Sequence, residues 1–184
     1  MWRRSFCTIV VAALVLGIAS TASAQSKAAK IASAVAAAPA SIAKNATIKD
    51  WPDKSGNMAT LREGSNGWVC LPSEPKTKYR KNDAMCIDPQ FQEWMASLME
   101  KRPPKLTQVG YSYMLTADEW GSNTDPFGAT GPTPDNQWHK MGPHVMVVYP
   151  DAALLAGIPT RPSMNGPYVM QAGTPYAHVM WPVK

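Results

Sequence analysis

Residues 86–102 of the chain read CIDPQFQEWMASLMEKR, and this stretch decides the fold class. Asp88 is a residue type that caps helix N-termini, and Pro89 suits the first helical position. The apolar residues that follow have the three- and four-residue spacing of a helix with one buried face: Phe91, Trp94, Met95, Leu98 and Met99. Prolines at 103–104 end the pattern. The sequence therefore predicts one main helix over residues 89–101.

Short runs of strand-forming residues surround this helix. Three of them precede it and are separated by Gly-, Asn- and Pro-containing turns, at 47–51, 57–62 and 67–71. The others follow it, at 108–116, 144–149, 168–171 and 176–181. One helix among short strands predicts an α+β domain with a small, mostly antiparallel sheet. We expect the first three strands to form a meander and the last two a hairpin.

Cys70 and Cys86 flank a polar, Pro-containing loop that has little apolar surface of its own. An even pair of cysteines in an exported chain predicts a disulfide bond. Closing a loop of this length stabilises a fold by roughly 3 kcal/mol. The alternative, a redox-active pair, lacks the C-x-x-C spacing that lowers a thiol pKa.

The first 24 residues have the pattern of a secretory signal peptide. Arg3 and Arg4 precede an apolar run, and the run ends at Ala22-Ser23-Ala24, which predicts cleavage between Ala24 and Gln25. The alternative is an uncleaved membrane anchor, but the run is shorter than the ~20 apolar residues that a spanning helix needs. No later stretch is long and apolar enough to cross a membrane. We therefore expect an exported protein, periplasmic or extracellular.

Residues 25–46 are rich in alanine and poor in large side chains. Such composition predicts a low-complexity linker, which places the single globular domain at residues 47–184.

The formal charge of +5 arises entirely in the first 44 residues. From Asn45 onward, 13 basic residues balance 13 acidic residues. A nucleic-acid interface needs a dense basic surface to displace counterions from phosphates. The sequence therefore predicts that nucleic acid is not a partner.

A His-x-Met pattern occurs twice in predicted strands, as His144 with Met146 and as His178 with Met180. Residues two apart in a strand point to the same face. If the two strands are neighbours, the four side chains converge, and imidazole with thioether is a ligand set that suits copper(I). Methionine is also an ordinary core residue, and both interpretations stay open.

A second candidate site involves His139 and His144, which follow a long segment of turn-forming residues at 117–143. With Asp118 or Glu119 from the start of that segment, they would form a zinc site of the hydrolytic type. Their spacing matches no recognised zinc-binding helix.

Tryptophans suggest a third candidate site. Trp68 follows a turn, Trp120 begins the long segment, and Trp138 with His139 ends it. Tryptophans in such loops stack on sugar rings or bind peptides. They also serve simply as anchors that pack a loop onto its domain.

Three motifs resemble uncharacterised exported bacterial proteins: residues 61–70, 142–144 and 173–178. The resemblance implies a bacterial origin and one intact domain, with no activity to transfer. Since no nucleophile, carboxylate pair or phosphate loop is evident, we expect a binding or envelope-associated structural role. The expected partner is a small molecule, a glycan or an envelope protein. A zinc-dependent hydrolase and a copper-binding protein are the alternatives.

Overall fold

The computed structural model describes residues 25–183. Within that range the chain forms three α-helices: α1 (Lys27–Val35), α2 (Ala40–Ala43) and α3 (Pro89–Met99). A 3₁₀ turn covers Ala152–Leu155. The strands are β1 (Thr47–Lys49), β2 (Thr60–Arg62), β3 (Val69–Leu71), β4 (Arg80–Asn82), β5 (Met85–Ile87), β6 (Gly110–Met114), β7 (Asp118–Gly121), β8 (His139–Met141), β9 (His144–Val148), β10 (Tyr168–Met170) and β11 (His178–Pro182). The α+β class is confirmed.

Eight strands form one sheet in the order β10-β11-β9-β6-β5-β3-β1-β2. Neighbours are antiparallel except β1 and β3, which are parallel. The predicted hairpin of the last two strands is present as β10 and β11. The predicted meander is wrong, because β1 lies between β2 and β3 and places β2 at the edge of the sheet.

The long segment 117–143 is not without regular structure. It contains β7 and β8, and β7 pairs with both β8 and β4 in a second, three-stranded sheet. The sequences of β4, β7 and β8 are RKN, DEWG and HKM. They are rich in charged residues and lack the apolar–polar alternation by which a strand is predicted from sequence.

Helix α3 begins as predicted and ends two residues early. The Asp88 carboxylate accepts a hydrogen bond from Phe91 N (2.8 Å) and another from Tyr111 N of β6 (2.9 Å). Lys101 has a φ of 55°, a conformation that helices do not continue through, and the helix stops at Met99. At Gly110 a Cβ atom would lie 2.6 Å from Cβ of Gln90, so glycine lets the first turn of α3 approach the sheet closely.

The two faces of the large sheet are covered by different side chains. One face, which we call the methionine face, packs against α3 and the second sheet through aromatic and methionine residues. The other, which we call the alanine face, packs against α1 and α2 through small residues: Ala34, Ala37, Ala38, Ala43 and Ala46.

The alanine face corrects the linker prediction. Residues 25–46 contain α1 and α2, and five of their ten alanines are buried in one cluster with Ile48 and the disulfide cysteines. Alanine favours helix and packs closely, so low complexity here reflects a tight helix–sheet contact. The predicted disulfide is confirmed: Cys70 and Cys86 lie directly opposite each other on β3 and β5 and are buried.

The signal-peptide prediction, including cleavage between Ala24 and Gln25, falls outside the described residues. Within residues 25–183, no helix has the length and apolarity that crossing a membrane requires.

Candidate functional site

A cavity of about 350 Å³ lies between the methionine face, α3 and the second sheet. We call it the methionine pocket, because eight methionines line it: Met85, Met95, Met99, Met114, Met141, Met146, Met170 and Met180. Met99 is 56% exposed and lies at its mouth. His144, His178, Trp94 and Glu119 supply polar groups. A mostly apolar cavity of this size with a few polar groups is typical of a small-ligand site.

His178, which lines this pocket, carries an unprotonated ring nitrogen. Its Nδ1–H donates to the Tyr176 carbonyl (2.9 Å), which leaves the lone pair on Nε2. Nε2 is buried and has no hydrogen-bond partner among residues 25–183. The pKa of His178 is lowered to about 4, mainly by burial and to a smaller extent by the charge of His144, so the ring is neutral at pH 7.

His144 repeats this arrangement. Its Nδ1–H donates to the carbonyl of Gly142 (2.7 Å), again two residues earlier in the chain. The side chain is buried, and burial lowers its pKa to about 4. Fixing one ring nitrogen on a backbone carbonyl sets the tautomer and orients the other nitrogen, as occurs at metal-binding histidines.

The sheet register shows how the four predicted metal ligands are arranged. β9 and β11 are neighbours, and Met146 lies directly opposite Met180. His144 pairs with Pro182, however, so His144 and His178 are at opposite ends of the strand pair. Four residues of strand separate them, about 13 Å, and side chains stand roughly perpendicular to a sheet. The four residues share one pocket but do not meet at a single point.

Each histidine instead has two methionine neighbours. His144 lies opposite Met114 of β6 and two residues before Met146. His178 lies opposite Met170 of β10 and two residues before Met180. Residues directly opposite in antiparallel strands have Cβ atoms about 5 Å apart. Sequence reasoning missed Met114 and Met170, because only strand register brings them to the histidines.

Strand β7 brings the second sheet close to the pocket. At Gly121, an added Cβ would lie 2.8 Å from the Met141 methyl group and 3.7 Å from that of Met170. Glycine at this position therefore leaves room for two methionine side chains where the sheets meet.

The zinc set predicted around His139 is not assembled. His139 Nδ1–H donates to the Gln137 carbonyl (3.2 Å), and its Nε2 accepts from the Tyr168 hydroxyl (2.7 Å), so both ring nitrogens are engaged. Asp118 pairs with Lys140 at 3.0 Å, which lowers the pKa of that carboxyl group. In the part of the chain that the structure describes, no three His, Cys, Asp or Glu side chains are grouped to hold a metal ion.

The predicted tryptophan loop lines a second, larger cleft of about 550 Å³. Trp120 (42% exposed) and Trp138 line it, and Tyr79 meets Trp138 edge to face at 5.1 Å. We call it the aromatic cleft. Trp68 lies elsewhere and packs on Tyr113 at the alanine face. His139 does not line the cleft.

Glu119 lines both cavities. Its pKa is raised to about 8, mainly by burial and also by the acidic Asp83 and Glu74, while Arg80 opposes them. The carboxyl group is therefore mostly protonated at neutral pH, and it ionises if a positive charge enters beside it.

Comparison with known proteins returns no match: no family model, curated protein or solved structure is significantly similar to this chain.

Proposed function

We propose that this protein is a binding protein of the bacterial cell envelope that holds copper(I) in the methionine pocket. The observation that carries the proposal is the pair of neutral imidazoles, each with Nδ1–H fixed on a backbone carbonyl and each lining a cavity that is also lined by methionine.

The donor set selects the metal. Thioethers are soft ligands that bind copper(I) and bind hard or borderline cations poorly, and imidazole also binds copper. Zinc sites use thiolate, imidazole or carboxylate. The pocket offers only two imidazoles of that set together with Glu119, and they are not grouped.

Simple core packing accounts for these methionines less well. Methionine often fills irregular cores, whereas here methionine side chains line a pocket that opens to the surface. This face retains a cavity of about 350 Å³ and a buried His178 Nε2 with no partner in residues 25–183. Both features favour a ligand.

The protonation states also favour a cation. Because the pKa values of His144 and His178 are about 4, both rings bind a metal at pH 7 without first losing a proton. A monovalent ion in a neutral ligand set carries an unbalanced charge, and Glu119 at the edge of the pocket can ionise to offset it.

The proposed location follows from the sequence. The signal-peptide pattern of residues 1–24 and the resemblance to exported bacterial proteins support export. A disulfide bond is compatible with an oxidising compartment.

Silver(I) titration tests the proposal, because silver(I) is soft and monovalent like copper(I) and does not change oxidation state. Cys70 and Cys86 are joined, so they contribute no thiolate. We expect silver(I), and copper(I) supplied with ascorbate, to bind the purified protein and raise its melting temperature, whereas zinc(II) does neither. The matched control is Met58→Leu, which changes a methionine outside the pocket. Binding of zinc but not of silver, or of neither, would contradict the proposal.

The aromatic cleft supports a second candidate function, glycan binding. Trp120 is exposed beside Tyr79 and Trp138, and aromatic rings of this kind stack on the apolar faces of sugars. We expect soluble peptidoglycan fragments to bind, and Trp120→Ala to abolish binding while Trp181→Ala, which removes another exposed tryptophan, does not. If the two variants change the binding of peptidoglycan fragments equally in calorimetric titrations, the result would contradict this candidate function.

A further inference from the structure

We infer that the methionine pocket holds two copper(I) ions, one at each end, each bound by one imidazole and two thioethers. The inference rests on the proposed function and specifies its stoichiometry and ligands. It follows from sheet register, since His144 and His178 are too far apart along the strands to share one ion.

The first set is His144, Met114 and Met146. Met114 lies directly opposite His144 across β6 and β9, and Met146 follows it on the same face of β9. All three line the pocket and are buried. Thioether side chains have three flexible torsions, so two of them can turn toward one Nε2 without backbone movement.

The second set is His178, Met170 and Met180. Met170 lies directly opposite His178 across β10 and β11, and Met180 follows it on the same face of β11. These residues also line the pocket and are buried. The His178 Nε2 lacks any other partner within residues 25–183.

The two sets meet through Met146 and Met180, which are directly opposite each other on β9 and β11. The two sets therefore have the same construction. In each, the histidine Nδ1–H donates to the carbonyl of the residue two positions earlier. One methionine follows the histidine by two residues on the same strand, and the other lies opposite the histidine on the neighbouring strand. The thioethers of Met146 and Met180 lie between the two ions and offer a path for transfer from one end to the other.

The test is the silver content of the purified protein at saturation, measured by equilibrium dialysis and mass spectrometry. We expect two ions per chain for the wild type and for the control variant Met58→Leu, which changes a methionine outside the pocket. We expect one ion for His144→Ala and one for His178→Ala.

Met114→Leu and Met170→Leu keep the test valid if a histidine variant does not fold, because leucine conserves the volume of the apolar side chain while removing the thioether. Each should weaken only the ion at its own end. A single ion in the wild type, or loss of both ions in one histidine variant, would overturn the inference and leave the proposed function standing. No bound ion at all would overturn both.

Discussion

The two faces of the large sheet pack in opposite ways. On the alanine face, small side chains from α1 and α2 lie directly on β1, β3 and β5, and the disulfide is buried among them. On the methionine face, large flexible side chains surround a cavity and two buried imidazoles. Tight packing of alanine leaves no space for a ligand, and an alanine side chain has no donor atom that could bind a metal. One face therefore stabilises the fold, and the other carries the candidate ligand-binding groups.

Acidification should produce the largest effect on stability, and it acts on the methionine face. The unfolded chain protonates histidine near pH 6.5, whereas the folded protein excludes these protons until about pH 4. The unfolded state therefore binds more protons in this window, and the free energy of unfolding falls as the pH falls. Each histidine contributes roughly 3 kcal/mol to this loss.

Urea denaturation at a series of pH values measures this effect. His178→Gln should lose less stability than the wild type between pH 6.5 and 4, and below about pH 4 the two curves should run parallel. Curves that are parallel throughout would show that the His178 pKa is not depressed. Glu119 has the opposite sign: because its pKa is raised to about 8, its contribution is present at low pH and is lost as the pH rises through 8.

Removal of the disulfide should have the next largest effect, and it acts on the alanine face. Cys70→Ser with Cys86→Ser should lower the free energy of unfolding by about 3 kcal/mol, because the unfolded chain regains the freedom of the closed loop. Silver binding per folded molecule should be unchanged, since no pocket-lining residue is altered. Loss of silver binding in folded protein would show that the two faces are not independent.

Substitutions by leucine on the two faces should then differ in their effect on stability by a smaller amount. Ala34 is fully buried, and Ala34→Leu should destabilise the protein by about 1–3 kcal/mol because the added methylene groups have no space. Met85→Leu, on the methionine face, should cost less than about 1.5 kcal/mol because volume is conserved. Similar losses in thermal denaturation would mean that the faces are packed alike.

Substitutions at the N-cap of α3 should have the smallest effect on stability. Asp88→Asn retains a cap for Phe91 N, whereas Asp88→Ala removes that cap and the acceptor for Tyr111 N. We expect Asp88→Ala to cost about 1–2 kcal/mol and Asp88→Asn less. Equal stability of Asp88→Ala and the wild type in urea would contradict the role of this carboxylate.

Sequence alone predicted the elements whose signals are local. The cap at Asp88, the apolar periodicity of α3 and the cysteine pair each act within a few residues or depend on composition, and each was identified correctly. The end of α3 was missed by two residues because Lys101 takes a left-handed conformation that its residue type does not signal.

The features that depend on distant contacts were not predictable. The composition of residues 25–46 is that of a linker, because the surface that buries their alanines is formed by Ile48 and the disulfide, which lie outside this segment. The repeated His-x-Met pattern identified two of the three ligands in each proposed set. Met114 and Met170 complete the sets only through strand register, which sequence periodicity does not specify between separate strands.

X-ray absorption at the copper K-edge of the copper(I)-loaded protein tests the central claim most directly, because it counts the ligand atoms around the metal. We predict a first shell of one nitrogen and two sulfur atoms, with the disulfide intact. A shell of nitrogen and oxygen atoms without sulfur would contradict the account, because it would place the metal outside the methionine pocket.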